Sequence, residues 1–96
     1  TLFRSVVYID SFENVITNIS AQLFNEIRRN RKFEIYLKGP YNKIKKINTQ
    51  YNQTPPGELL AIFNSLGLLE IAIYNGNAAG LLDVSIRDAV TIKFRE

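Results

Sequence analysis

The most regular alternation of apolar and polar positions lies in residues 32–38, where Phe33, Ile35 and Leu37 share one side and Glu34, Tyr36 and Lys38 the other. A period of two is the signature of a strand with one buried face. It returns in residues 88–95, with Val90, Ile92 and Phe94 set against Thr91, Lys93 and Arg95. Residues 2–10 alternate poorly but are rich in β-branched and aromatic types, which predicts a buried strand. After a turn at Ser11-Phe12-Glu13-Asn14, residues 15–19 resume as strand. The apolar runs 58–64 and 68–74, parted by Ser65-Leu66-Gly67, predict a hairpin. Residues 43–48 are expected to return as a partner strand after the turn Gly39-Pro40-Tyr41-Asn42.

The period changes only briefly. Ser20 has the chemistry of a helix N-cap, and Ile19 with Phe24 fits a hydrophobic staple. Leu23, Phe24 and Ile27 then share one helical face. Asn30 is a stop, so this helix runs for about three turns at most. Asn75-Gly76-Asn77 breaks the strand before it, and Asn77 is placed to cap a single helical turn through Leu82. Seven or so short strands with one or two short helices predict a mainly β fold, a small antiparallel β-barrel-like domain.

Composition then narrows the chemistry. A chain of 96 residues holds one core, so residues 1–96 are read as a single domain. Cysteine and histidine are both absent. Their absence removes disulfides, thiol nucleophiles, zinc–thiolate sites, the Ser-His pairing and the commonest general base. No metal site is expected. No apolar run approaches the ~20 residues that a membrane helix needs, and no charged leader with an apolar stretch is visible. The expectation is therefore a cytoplasmic protein with no membrane partner. Methionine is missing too, so a chain opening at Thr1 is expected to be cut from a longer protein.

Twelve basic side chains against nine acidic give a formal charge of +3. The densest cluster is Arg28, Arg29, Arg31 and Lys32, followed by Lys43, Lys45 and Lys46. One reading is that the first cluster ends a helix, where cations favour the negative end of the dipole. The other is a single-stranded nucleic-acid face, with Tyr36, Tyr41 and Tyr51 as stacking groups.

Three segments are more polar than a plain barrel requires. In residues 8–19, Asp10, Asn14 and Asn18 sit among β-branched neighbours, where such residues are normally depleted. Turn chemistry accounts for Asp10 or Asn14 and less readily for Asn18. Residues 63–67 place Asn64 and Ser65 in a turn that Gly67 completes with a positive φ. Residues 71–79 end a strand in small residues, which let a ligand approach the backbone closely. Taken singly, each fits an ordinary turn.

Taken together, Tyr-Ile-Asp-Ser-Phe-Glu-Asn-Val-Ile-Thr-Asn-Ile, Tyr51 before Pro56-Gly57-Glu58, and Phe-Asn-Ser-Leu-Gly-Leu-Leu-Glu-Ile-Ala-Ile-Tyr-Asn-Gly-Asn-Ala-Ala resemble one family. It is the C-terminal domain of the S-adenosylmethionine hydroxide adenosyltransferases, relatives of the fluorinases and chlorinases, and the likeness covers residues 6–93. The resemblance implies cleavage of S-adenosylmethionine, the substrate, to adenosine and methionine by water or hydroxide at the ribose C5′, with no cofactor. The activating Asp, Arg and His would belong to an N-terminal catalytic domain contributed by a neighbouring subunit of a homotrimer. This domain alone would be inactive, with no catalytic residue of its own.

By position, the resemblance implies that Asp10 holds the methionine ammonium and Ser65 contacts its carboxylate. It also implies that Asn14 reads the adenine edge, Tyr51 lies against the adenine ring, and Asn75 meets it through the backbone. Glu13 and Arg87 stand where the family has glycine. Leu66 and Ile73 stand where the halogenating relatives carry arginine, which favours the water-using branch.

Overall fold

A computed structural model of the protein describes residues 1–39 and 42–95. It contains β1 (Leu2–Ile9), β2 (Val15–Ser20), α1 (Ala21–Arg28), β3 (Lys32–Leu37) and β4 (Lys43–Ile44), then β5 (Leu59–Phe63), β6 (Leu68–Ile73), α2 (Ala78–Leu82) and β7 (Ala89–Arg95). A single helical turn of the tighter type spans Tyr51–Gln53. The seven strands form one antiparallel sheet in the order β4-β3-β7-β1-β2-β6-β5. Its two edges meet: Asn48, four residues past β4, bridges Ile62 of β5 and donates its backbone N–H to the Ala61 carbonyl at 2.7 Å. The result is a nearly closed barrel, which leaves little unpaired edge.

The expected strand at 43–48 is shorter than its pattern. Only Lys43 and Ile44 pair with β3, opposite Tyr36 and Ile35. Beyond them the chain leaves the ladder to reach β5, and closure of the barrel overrides the local alternation. Within the turn predicted at 39–42, Gly39 has a φ of +134°, while Pro40 and Tyr41 lie outside the described residues.

Two irregular places in the ladder are repaired by side chains. Between Val6 and Tyr8 the register of β1 against β2 shifts, and Asn18 Oδ1 accepts from the Ser5 backbone N–H at 3.1 Å. That contact explains an Asn in a strand. Between Ile16 and Ser20 the register against β6 shifts as well. There the buried Thr17 hydroxyl donates to the Leu69 carbonyl at 2.8 Å and accepts from the Ile19 N–H at 3.2 Å. Both side chains supply partners that the broken ladder withholds.

Helix α1 caps one end of the barrel. Ser20 accepts from the Leu23 N–H at 3.0 Å, as an N-cap residue does. Phe24 points inward and meets Phe33 at 5.1 Å, Phe63 at 5.7 Å and Phe94 at 6.0 Å between ring centroids. These come from the start of β3, the end of β5 and the end of β7, so the helix seals the rim those ends form. The helix terminates in left-handed residues Arg29 and Asn30. Arg31 donates to the Ile27 and Arg28 carbonyls at 2.6 and 3.1 Å. This is the helix-end reading of the basic cluster, seen directly for Arg31. Asn77 holds the N-cap position of α2 but makes no side-chain cap bond.

Candidate functional site

The end of the barrel opposite α1 is built from the end of β1, the start of β2 and the end of β6. Strands β1 and β2 are joined by residues 10–14, and Asp10 shapes that turn. Its Oδ1 accepts from the Phe12 and Asn14 backbone N–H groups, each at 2.9 Å, and its Oδ2 accepts from Asn14 Nδ2 at 3.2 Å. Glu13 takes a φ of +60°, a region that L side chains enter at a cost of about 1–2 kcal/mol. It is held there from both sides: its N–H donates to the Asp10 carbonyl, and its carbonyl accepts from Ala79 of α2, both at 2.9 Å. Gly80 makes room for it, since a Cβ on Gly80 would fall 2.9 Å from the Glu13 carboxylate. Arg87, the second residue standing for a family glycine, also has a positive φ, +78°.

The turn after β6 is equally tight. The Gly76 N–H donates to the Ile73 carbonyl at 3.0 Å. A side chain at Gly76 would lie 2.7 Å from the Ile73 Cγ2, so glycine is required there. Asn75 beside it is left-handed, φ +57°.

The third wall is the loop between β4 and β5, laid over the outer face of β5 and β6. Buried Asn48 and Thr54 pin it through a 2.8 Å hydrogen bond. Leu60, Ile62, Ala72 and Tyr74 make a small second apolar cluster on that face of the sheet. Between these walls lies an open cavity of about 430 Å³ lined by Asn14, Tyr51, Tyr74, Asn75 and their neighbours, with Phe12 at its rim.

One carboxylate controls the aromatic in this cavity. Glu70 of β6 is 4% exposed and has no cation partner among the described residues. It accepts from the Tyr51 hydroxyl at 2.5 Å. Tyr51 is 40% exposed as a whole, so its hydroxyl turns inward while the ring remains accessible. Burial pushes the phenol up to about 12, aided by the hydrogen bond to Glu70 and by the charges of Glu70 and Asp10. In a folded chain the Tyr51 proton should therefore persist past pH 10, and the stability linked to it is lost as pH rises from 10 towards 12. An ultraviolet tyrosinate titration checks this: the component missing in Tyr51→Phe should titrate near 12 and move down towards the ordinary value in Glu70→Gln. A component that titrates near 10 in both backgrounds would contradict the pairing.

Of the residues singled out in the sequence, Asn14, Tyr51 and Asn75 line one cavity, and Asp10 braces its wall. Ser65 stands apart. It lies in the turn before Leu68, at the α1 end of β6. The six residues of that strand, roughly 16 Å long, lie between it and Asn75 in the chain. That turn is held by Asn64, whose Oδ1 accepts from Leu66 and Leu68 at 3.0 and 3.1 Å, and Gly67 has the expected positive φ, +76°. Glu70 is the functional candidate that sequence reasoning passed over. The available signal was a carboxylate in the apolar run of residues 68–73.

The basic and aromatic residues do not form one surface. Tyr51 belongs to the cavity above, Tyr36 has its hydroxyl on Glu34 at 3.0 Å, and Tyr41 lies outside the described residues. An interleaved stacking face for single-stranded nucleic acid is not assembled among the described residues. Among the described residues no group of His, Cys, Asp and Glu is placed to hold a metal ion, and none of their helices is long and apolar enough to cross a membrane.

A family model described as the SAM hydroxide adenosyltransferase C-terminal domain matches residues 4–91. Among solved structures, an uncharacterized conserved protein from Thermotoga maritima is 29% identical, with a TM-score of 0.77, over 95% of this chain and 35% of that one. A conserved hypothetical protein from Thermus thermophilus shares the fold at 23% identity, with a TM-score of 0.74, over 95% of this chain and 34% of that one. The chain thus spans about a third of the length of each of these structures.

Proposed function

The chain belongs to the SAM hydroxide adenosyltransferase C-terminal domain family, and from that premise we propose that it forms one wall of an S-adenosylmethionine site in a larger, homotrimeric enzyme. The observation that carries this reading is the convergence of three distant segments, at Asn14, Tyr51 and Asn75, on one open cavity. An open cavity suits a wall that a second domain completes.

In this reading the adenine lies against the Tyr51 ring, whose hydroxyl is already satisfied by Glu70, so the contact makes no demand on the ligand for hydrogen bonds. Asn14 gives one amide hydrogen to Asp10. Its second hydrogen and its carbonyl remain to read the donor–acceptor edge of adenine. The left-handed backbone at Asn75 turns main-chain groups towards the same edge. The Asp10 carboxylate, beside the cavity, takes the methionine ammonium as a charge-assisted partner. Ser65, in the β5–β6 turn at the other end of β6, is assigned the methionine carboxylate, the end of the substrate remote from the adenine.

The reaction is attack of a water or hydroxide oxygen on C5′, with the C5′–sulfur bond breaking and its electron pair passing to sulfur. Adenosine and methionine result, and the water proton leaves to a group outside this chain. Leu66 and Ile73, where halogenating relatives carry arginine, support water as the nucleophile. The test is product analysis. The complete protein should convert S-adenosylmethionine to adenosine and methionine, and this chain alone should not. Absence of adenosine with the complete protein would overturn the proposal.

A further inference from the structure

At the α1 end of the barrel lies a second cavity, of about 440 Å³, which shares no residue with the first. We propose that it binds an oligophosphate group, a short chain of linked phosphates either free or carried by a nucleotide.

Four cations from four elements line it: Arg28 ends α1, Lys32 opens β3, Lys45 follows β4 and Arg95 ends β7. Glu34 is the single carboxylate among the described residues that line it. It is already engaged, accepting from Arg95 at 2.7 Å and from Tyr36 at 3.0 Å. The Tyr36 hydroxyl holds its carboxyl below the ordinary range against the opposing effect of burial, with Arg95 and Lys43 assisting. Arg28, Lys32 and Lys45 have no ion-pair partner among the described residues.

The distribution of charge is not that of a generic surface. Of twelve basic and nine acidic side chains in the sequence, four basic and one acidic are among the described residues that line this cavity. Lys32 and Arg95 are moreover directly opposite in the β3–β7 ladder, a like-charge pairing that costs stability unless an anion sits between. The helix-end reading accounts for Arg28 and the ion pair with Glu34 for Arg95, which leaves Lys32 and Lys45 without a role.

Both guanidinium groups are oriented in advance. Arg28 donates through Nε to the Arg31 carbonyl at 3.0 Å and lies over the Phe33 ring at 4.8 Å. Arg95 is fixed by Glu34. Each keeps further N–H donors, and the planar fork of guanidinium suits paired phosphate oxygens. Four cations around a space larger than one phosphate match a chain of two or three better than a single anion.

Calorimetric titration of the complete protein with tripolyphosphate, at low and at physiological salt, tests this. Saturable binding is expected, weakening with salt. The double variant Lys32→Glu/Lys45→Glu should lose affinity by about tenfold or more. Arg29→Glu/Lys46→Glu makes the same change of charge at exposed positions outside the cavity and should stay within about threefold of the parent. Repeating the titration with ATP separates the two sources. Affinity equal to that of tripolyphosphate assigns the site to the bare phosphate chain, and a gain lost in the first double variant assigns it to a nucleotide. No saturable binding in the parent protein, or equal losses in the two double variants, would overturn the proposal.

Discussion

Phe24→Ala should lower the unfolding free energy by about 3–5 kcal/mol, a large share of the roughly 5–15 kcal/mol that holds a domain of this kind together. Phe24 is 1% exposed, and three other rings pack on it, two of them edge-on. Truncation would remove the burial of a whole ring and open a void that Phe33, Phe63 and Phe94 cannot fill, since each is anchored in a different strand. It would also strip α1 of its only fully buried side chain, and a helix of eight residues does not persist without such an anchor. Urea denaturation monitored by circular dichroism gives the number, with Phe24→Leu as the comparison that keeps most of the volume. A loss below about 1 kcal/mol for the alanine variant would mean that α1 does not seal the barrel.

The second large effect concerns Asp10, and its two natural substitutions should separate two roles. In Asp10→Ala the turn loses the acceptor for Phe12 and Asn14, so the wall of the cavity loosens along with the charge. Asp10→Asn keeps an oxygen for those backbone groups and removes the charge together with the acceptor that Oδ2 offers to Asn14 Nδ2. If Asp10 holds the substrate ammonium, both variants of the complete protein should raise KM for S-adenosylmethionine by about 30-fold, equivalent to about 2 kcal/mol. The alanine variant, which loses all three hydrogen bonds, should lower the melting temperature more than the asparagine variant, which loses one. A normal KM in Asp10→Asn would confine Asp10 to shaping the turn.

The strands were legible because alternation is local. Residues 32–38 and 88–95 carry their period in their own side chains, and β3 and β7 form where that period lies. Ser20 was legible as a cap for the same reason, as its partner is three residues away. What escaped depends on segments distant in the chain. The length of β4 is set by the pull of Asn48 towards β5. Glu34 falls on the polar side of β3 yet is buried, because Arg95 comes from the other end of the chain. The candidate site divides along the same line. Asp10 with Asn14 is a short-range turn that the residues announce. Glu70 under Tyr51 joins positions nineteen apart, and no pattern in either neighbourhood specifies the other. The positive φ at Glu13 could be anticipated only from its standing where the family has glycine.

The strand order has a consequence for how the chain is made. Strand β7 lies between β3 and β1, so the middle of the sheet is the last part to leave the ribosome. At about 5–20 residues per second, β1, β2, β5 and β6 can join while synthesis continues. Strand β3 then has only the two residues of β4 as a partner. Its apolar face, Phe33, Ile35 and Leu37, waits for β7 to bury it. The ring of Phe94 comes later still, and with it the last contact on Phe24. During this interval the nascent chain presents an unpaired apolar strand, the state in which chaperone binding or mispairing between neighbouring chains is decided.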